Sequence, residues 1–157
     1  GFRQTISQPF IVAYMLQVLG LTDTERVLEV GTGSGYQTAL LSKLVLDVQT
    51  IELIPALADR ATKALADLGA TNVSIHIGDG SQGWSESAPY DAIIVSAAAP
   101  HVPKPLLDQL AGDGHMILPV GGFGSQELEL WTRENNSFSY EALLPVAFVP
   151  LRGVDGV

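Results

Sequence analysis

The sequence predicts a doubly wound α/β domain with a mostly parallel, Rossmann-like sheet that ends in an antiparallel hairpin. Three observations carry this prediction. Short β-rich runs alternate with helical patterns along most of the chain. Several of those runs are apolar at nearly every position, as strands covered on both faces are. The last runs are separated only by GFGS and ENNSF, far short of the dozen or so residues that a parallel crossover needs, so they pair antiparallel.

Residues 9–19, PFIVAYMLQVL, form a helix packed ahead of the first strand, RVLEVG (26–31). A helix over 36–46 leads to the strand DVQTIEL (47–53). In IPALADRATKALADLG (54–69), Pro55 and Gly69 stand where a helix starts and stops. NVSIHIGD (72–79) is the third strand, and after a Gly- and Ser-containing loop YDAIIVSAA (90–98) is the fourth. A helix over about 103–111 precedes GHMILPVG (114–121), the last parallel strand, and QELELWTR (126–133) and SYEALLPVAFVPL (139–151) complete the hairpin. Without internal repeats, low-complexity tracts or a second boundary, the 157 residues read as one domain, 46% hydrophobic and able to build its own core.

Eight Lys and Arg against 17 Asp and Glu give a formal charge of −9, which repels phosphate backbones, so no nucleic-acid partner is expected. The lack of cysteine excludes disulfides, thiolate chemistry and cysteine zinc sites, and His76, His101 and His115 are too scattered to hold a metal. No apolar run reaches the eighteen or so residues of a membrane span and no signal-peptide pattern heads the chain. The expectation is a soluble, cytoplasmic monomer without membrane attachment. The first residue is Gly1 and not Met, which leads to the expectation of further residues upstream.

The strongest chemical signal is LEVGTGSGYQ (28–37). Gly31, Gly33 and Gly35 lie between the first strand and the next helix, where absent side chains let the backbone turn sharply and approach a ligand. Their spacing is G-x-G-x-G; the dinucleotide fingerprint would need a third glycine where Tyr36 stands, and no Walker lysine follows. A nucleoside ligand here is therefore not gripped by a pyrophosphate or triphosphate. Glu52, at the end of the second strand, can accept both ribose hydroxyls. Asp79, at the end of the third and followed by Gly80, can accept the exocyclic amino hydrogens of adenine. Thr32 and Leu53 stand beside these groups and join the candidate cofactor contacts. Glu29, an inward-facing acid just before the loop, can bind loop N–H groups or attract a cation. An acid-lined crevice without a phosphate grip suits S-adenosylmethionine, whose sulfonium is positive.

QTISQP (4–9) stands ahead of the first apolar helix, and its hydroxyls and proline suit a helix start. Taken together, QTISQP, VLEVGTGSGYQTALL, IEL, IGDGSQGW, YDAIIVSAAAP, ILPVG and FVPL closely resemble the protein-L-isoaspartate (D-aspartate) O-methyltransferase family, in order from residue 4 to about residue 151. The resemblance implies methyl transfer from S-adenosylmethionine, leaving S-adenosyl-L-homocysteine, to the free α-carboxylate of isoaspartyl residues in damaged proteins and peptides. The ester then collapses to a succinimide, which permits return to aspartate. It implies that Gln4, Thr5, Ile6 and Ser7 lie across the mouth of the crevice near the cofactor, with Ser7 as the active-site serine and Thr5 assisting.

It also implies that Ala97, Ala98 and Ala99 form part of a peptide-binding wall, although close packing explains small residues there equally well. Family members carry a few dozen further residues ahead of this motif. At Arg152 some relatives have a small hydroxyl residue, so no cofactor contact is assigned to that position. Competing readings are an NAD(P)-dependent oxidoreductase, which the glycine spacing opposes, a noncatalytic S-adenosylmethionine-binding module, and a relative that methylates ordinary Asp in a dedicated peptide.

Overall fold

The computed structural model describes residues 8–157. Seven strands form one sheet in the order β3-β2-β1-β4-β5-β6-β7. They are β1 (Arg26–Val30), β2 (Asp47–Glu52), β3 (Val73–Ile77), β4 (Tyr90–Val95), β5 (Leu110–Gly122), β6 (Ser125–Glu134) and β7 (Ser137–Val146). The first five are parallel to their neighbours. β6 runs antiparallel to β5, and β7 to β6. The chain builds outward from β1 to β2 and β3, then returns to place β4 on the other flank of β1. That reversal opens a crevice at the carboxyl ends of β1 and β4.

Alternation along the central strands divides the core between the two faces of the sheet. Leu28, Val30, Ile93, Val95, Met116 and Leu118 join one cluster with Leu106 and Tyr90. Val27, Ala92, Ile94 and Ile117 join another, with Met15 and Leu19 from α1 (Pro9–Leu19) and Leu41 from α2 (Tyr36–Leu44). A period of two on strands that are apolar throughout is what a doubly covered sheet requires.

Several boundaries differ from the sequence-based expectation. α2 stops at Leu44 and not at residue 46, because the Asn72 side-chain amide donates to the carbonyls of Ser42 (2.9 Å) and Val45 (3.0 Å), satisfying groups that a helix end leaves open. α4 spans only Lys104–Asp108, and β5 begins at Leu110, four residues before the expected start. There Arg133 Nη1 donates to the Leu110 carbonyl (2.6 Å) and Asn135 N–H to that of Gly112 (3.2 Å), drawing residues 110–114 into the sheet.

β7 ends at Val146, before the expected residue 151. The Gln126 side chain accepts from Phe148 N–H (2.7 Å) and donates to its carbonyl (3.1 Å), taking the place of a strand partner where the chain leaves the ladder. Residues 149–151 then cross to β4's end, where Ala98 N–H donates to Val149 O and Leu151 N–H to Ala98 O, both at 2.8 Å. Among the described residues no helix is long and apolar enough to cross a membrane.

Candidate functional site

A cavity of about 430 Å³ opens at the switch point, a size suited to a small-molecule ligand. Its floor is the loop between β1 and α2. Gly31, Gly33 and Gly35 have φ of 95°, 54° and 83°, all left-handed. The three glycines serve different purposes. A side chain on Gly35 would begin 3.4 Å from Ala61 Cβ, on helix α3 (Pro55–Asp67), so that glycine brings two helices together. At Gly33 no described residue lies within 4 Å of where a Cβ would stand, and the residue lines the cavity. Among the described residues, nothing packs into the space beside Gly33.

Glu52 lines the cavity and is buried. Its Oε2 accepts from Gly33 N–H (2.8 Å) and its Oε1 from Ile54 N–H (3.0 Å). One carboxylate thereby pins the glycine loop to the start of α3, while each oxygen keeps acceptor capacity for a second donor. Thr32 and Leu53 also face the cavity. Gly80 completes this side, and it must be glycine: a Cβ there would stand 2.4 Å from Val30 Cγ1.

Glu29 is placed differently from its expected role beside the loop N–H groups. It lies fully buried beneath the cavity, accepting from Thr38 Oγ1 (2.5 Å), Thr50 Oγ1 (2.6 Å) and Gln37 Nε2 (2.9 Å). Burial pushes its pKa up to about 7, although these three donors and the nearby charge of Glu52 also act on it, the donors lowering it and Glu52 raising it. Gln37 Nε2 also donates to Ser96 Oγ (3.1 Å), so Glu29 orients two polar residues that do line the cavity.

Asp79 does not line the cavity. Its Oδ1 accepts from Ser81 N–H (2.9 Å) and Ser81 Oγ (2.7 Å), and its Oδ2 from Val154 N–H (2.8 Å) near the chain's end. Partial burial raises its pKa, but the N–H of Val154 and the hydroxyl and N–H of Ser81 outweigh that and hold it below the usual carboxylate value. Of the three alanines, Ala97 faces the cavity while Ala98 and Ala99 are buried behind it. Ala98 bonds residues 149 and 151, and Ala99 N–H donates to Pro119 O (3.0 Å), so their small side chains permit close backbone approach. Gln4, Thr5, Ile6 and Ser7 lie outside the described residues.

Sequence reasoning missed the rest of the wall. Ile54, Leu57 and Arg60 of the α3 segment line it at helical spacing, a pattern readable once Glu52 is taken as the edge of the site. Val149 to Arg152 line it from the chain's end, and no local pattern announces them. No cluster of metal ligands occurs among the described residues.

The family model described as protein-L-isoaspartate(D-aspartate) O-methyltransferase matches residues 1–156. The protein-L-isoaspartate O-methyltransferase of Desulfotalea psychrophila is 54% identical over 98% of this chain and 72% of its own length. A solved structure of a protein-L-isoaspartate O-methyltransferase superposes with a TM-score of 0.90 at 29% identity, over 96% of this chain and 49% of that one. A β-aspartate methyltransferase structure from Plasmodium falciparum, in complex with S-adenosyl-L-homocysteine, gives 0.79 at 28% identity, over 94% of this chain and 76% of that one. A glycine loop without a pyrophosphate grip, an acid at the end of β2 and a family match along nearly the whole chain agree, and the chain belongs to the protein-L-isoaspartate(D-aspartate) O-methyltransferase family.

Proposed function

We propose that the cavity at the ends of β1 and β4 holds S-adenosylmethionine while a methyl group passes to the free α-carboxylate of an L-isoaspartyl residue, the family's reaction. The observation that carries this placement is the space at Gly33 that no described residue fills, next to a carboxylate whose oxygens can each accept one more hydrogen bond. Gly33→Val should accordingly weaken cofactor binding by more than about tenfold, since a β-branched side chain is disfavoured at this φ and would occupy the ligand's space. Calorimetry with S-adenosylhomocysteine measures it; unchanged affinity in a folded variant would reduce the loop to a structural turn.

When bound, S-adenosylmethionine supplies an electrophilic methyl group on a sulfonium; the carboxylate oxygen forms the new bond and the C–S electron pair stays with sulfur. The chain's own task is alignment and exclusion of water, because a carboxylate is already ionised at neutral pH and needs no strong general base. Glu52 accepts the ribose hydroxyls and holds the loop. Gln37 and Ser96, oriented by Glu29, present polar groups to the cavity. Residues 149–152 close it from the side of β4. Ser7, with Thr5, holds the reacting carboxylate by hydrogen bonds that leave one oxygen free to attack.

The assay that tests this function compares methyl transfer from labelled S-adenosylmethionine to matched peptides that differ only in Asp or isoAsp. Transfer to the isoAsp peptide alone supports repair; preference for the Asp peptide supports a dedicated-substrate relative; transfer to neither supports a noncatalytic binder. Ser7→Ala should lower turnover on the isoAsp peptide at least about tenfold, or roughly 1.4 kcal/mol, with cofactor affinity nearly intact. Were Ser7 only a helix cap, the variant would instead lose about 1 kcal/mol of folding stability at full turnover per folded molecule.

A further inference from the structure

A buried carboxylate beneath the cavity sets which way the hydrogen bonds of its wall run. Glu29 is fully buried, and each of its oxygens heads an arm of polar side chains. In the first arm Gln37 Nε2 donates one hydrogen to Glu29 Oε2 (2.9 Å) and the other to Ser96 Oγ (3.1 Å). Both amide hydrogens are thereby used, so toward a ligand Gln37 can act only through its carbonyl oxygen, as an acceptor. In the second arm Thr50 Oγ1 donates to Glu29 Oε1 (2.6 Å), beside Thr38 Oγ1 (2.5 Å). The hydroxyls of Thr50 and Thr32 lie 2.6 Å apart. With Thr50's one hydrogen on Glu29, Thr32 must donate to Thr50, and toward a ligand it too can only accept. Gln37, Ser96 and Thr32 all line the cavity.

A proton on Glu29 reverses the second arm. Oε2 faces an N–H, so the proton sits on Oε1, within reach of the Thr50 hydroxyl. Thr50 then accepts from Glu29 and passes its own hydrogen to Thr32, whose hydrogen turns toward the cavity. Only hydrogens move, yet one acceptor of the wall becomes a donor. The amino-acid, ribose and adenine parts of S-adenosylmethionine each carry N–H or O–H groups, so an accepting wall suits whichever part meets it. We propose that Glu29 is a positioning residue: ionised, it holds Gln37 and Thr32 as hydrogen-bond acceptors for the cofactor, and a proton on it turns Thr32 into a donor and weakens binding. The proposal rests on the cofactor placement given above and needs no assignment of the cofactor's ends. Because burial lifts the pKa of Glu29 to about 7, the change falls near neutral pH. The groups packed on Glu29 from α2 and β2, Gln37, Thr38 and Thr50, are uncharged; the charged side chains around it are Glu52 of β2, which raises its pKa, and Arg60 and Arg152, which line the cavity.

The affinity of the wild-type protein for S-adenosylhomocysteine, measured by calorimetry, should rise about fivefold from about pH 6 to about pH 8, within the worth of one hydrogen bond. In Thr32→Val, which leaves Glu29 in place, there is no hydroxyl to turn and the affinity should not change with pH. Glu29→Gln sets an amide N–H against that of Gln37 and should weaken binding at about pH 8; adding it to Gln37→Leu should cost nothing further, since both act through the same arm. A wild-type affinity that is constant over this range would overturn the proposal. So would a pH dependence that survives in Thr32→Val, which would assign it to another group of the cavity, or additive losses in the double variant. Failure of the wild-type protein to bind S-adenosylhomocysteine at all would instead overturn the cavity placement, and the proposal with it.

Discussion

Between pH 4.5 and pH 7 the fold should lose about 3 kcal/mol of stability through Glu29 alone, and a Glu29→Gln variant should lack that loss. The sign follows from the direction of the shift. The carboxyl has an ordinary value of 4.5 and rises to about 7 in the fold, chiefly because burial penalises the charged form. Below 4.5 it is protonated in both states and costs nothing. As pH rises from there, the unfolded chain ionises freely while the folded one does not, so the advantage of folding shrinks until the folded group ionises too, near 7.

Two other shifted groups run the opposite way. Asp79, held low, contributes stability that disappears only as pH falls below its ordinary 3.8, outside this window. His76 is held below its ordinary 6.5, mainly by burial, so its contribution grows as pH rises. The difference between wild type and Glu29→Gln in chemical denaturation, measured at a series of pH values, removes both. The variant keeps acceptors for Thr38 and Thr50 but offers an amide where Gln37 donates, so it starts lower by about 1 kcal/mol and the slopes carry the test. Parallel slopes would show that Glu29 titrates like an exposed acid.

Glu52→Ala should weaken S-adenosylhomocysteine binding by about 1.5–3 kcal/mol, the range for hydrogen bonds to a charged group. The same carboxylate pins Gly33 and Ile54, so part of the loss will come from a loosened loop. Glu52→Gln separates the parts. It can satisfy one of the two N–H donors but turns its amide nitrogen toward the other, so it should bind worse than wild type and better than Ala. Unchanged calorimetric affinity in a folded Ala variant would leave Glu52 as a loop anchor with no part in ligand binding.

The boundary between what the sequence and the tertiary structure each decide runs through particular residues. Helix and strand positions were legible because each depends on neighbours a few residues away: Pro55 and Pro9 at helix starts, apolar runs in residues 26–30 and 90–95, links too short for a crossover. The glycine loop and Glu52 were legible for the same reason, since a sheet's switch point collects strand ends in a known order. The resemblance to the family rested on short strings of this local kind and the family match agrees with it.

Assignments that depended on distant partners were decided only in three dimensions. Asp79 has the look of a ligand-binding acid at a strand end, and only the fold shows that Val154, seventy-five residues later, donates an N–H to its Oδ2. For Ala98 and Ala99 the sequence left a peptide wall and close packing equally open, and the close approach of residues 149–151 and Pro119 to their backbone appears only in the fold. Glu29 was rightly taken as inward-facing, yet its partners Gln37, Thr38 and Thr50 come from α2 and β2, and they set its protonation. Arg152 has no local pattern around it, and it lines the cavity only because residues 149–151 cross to the end of β4. Local propensities act over a turn or a pair of strands, whereas a carboxylate's role depends on which donor reaches it first, and that donor can come from anywhere in the chain.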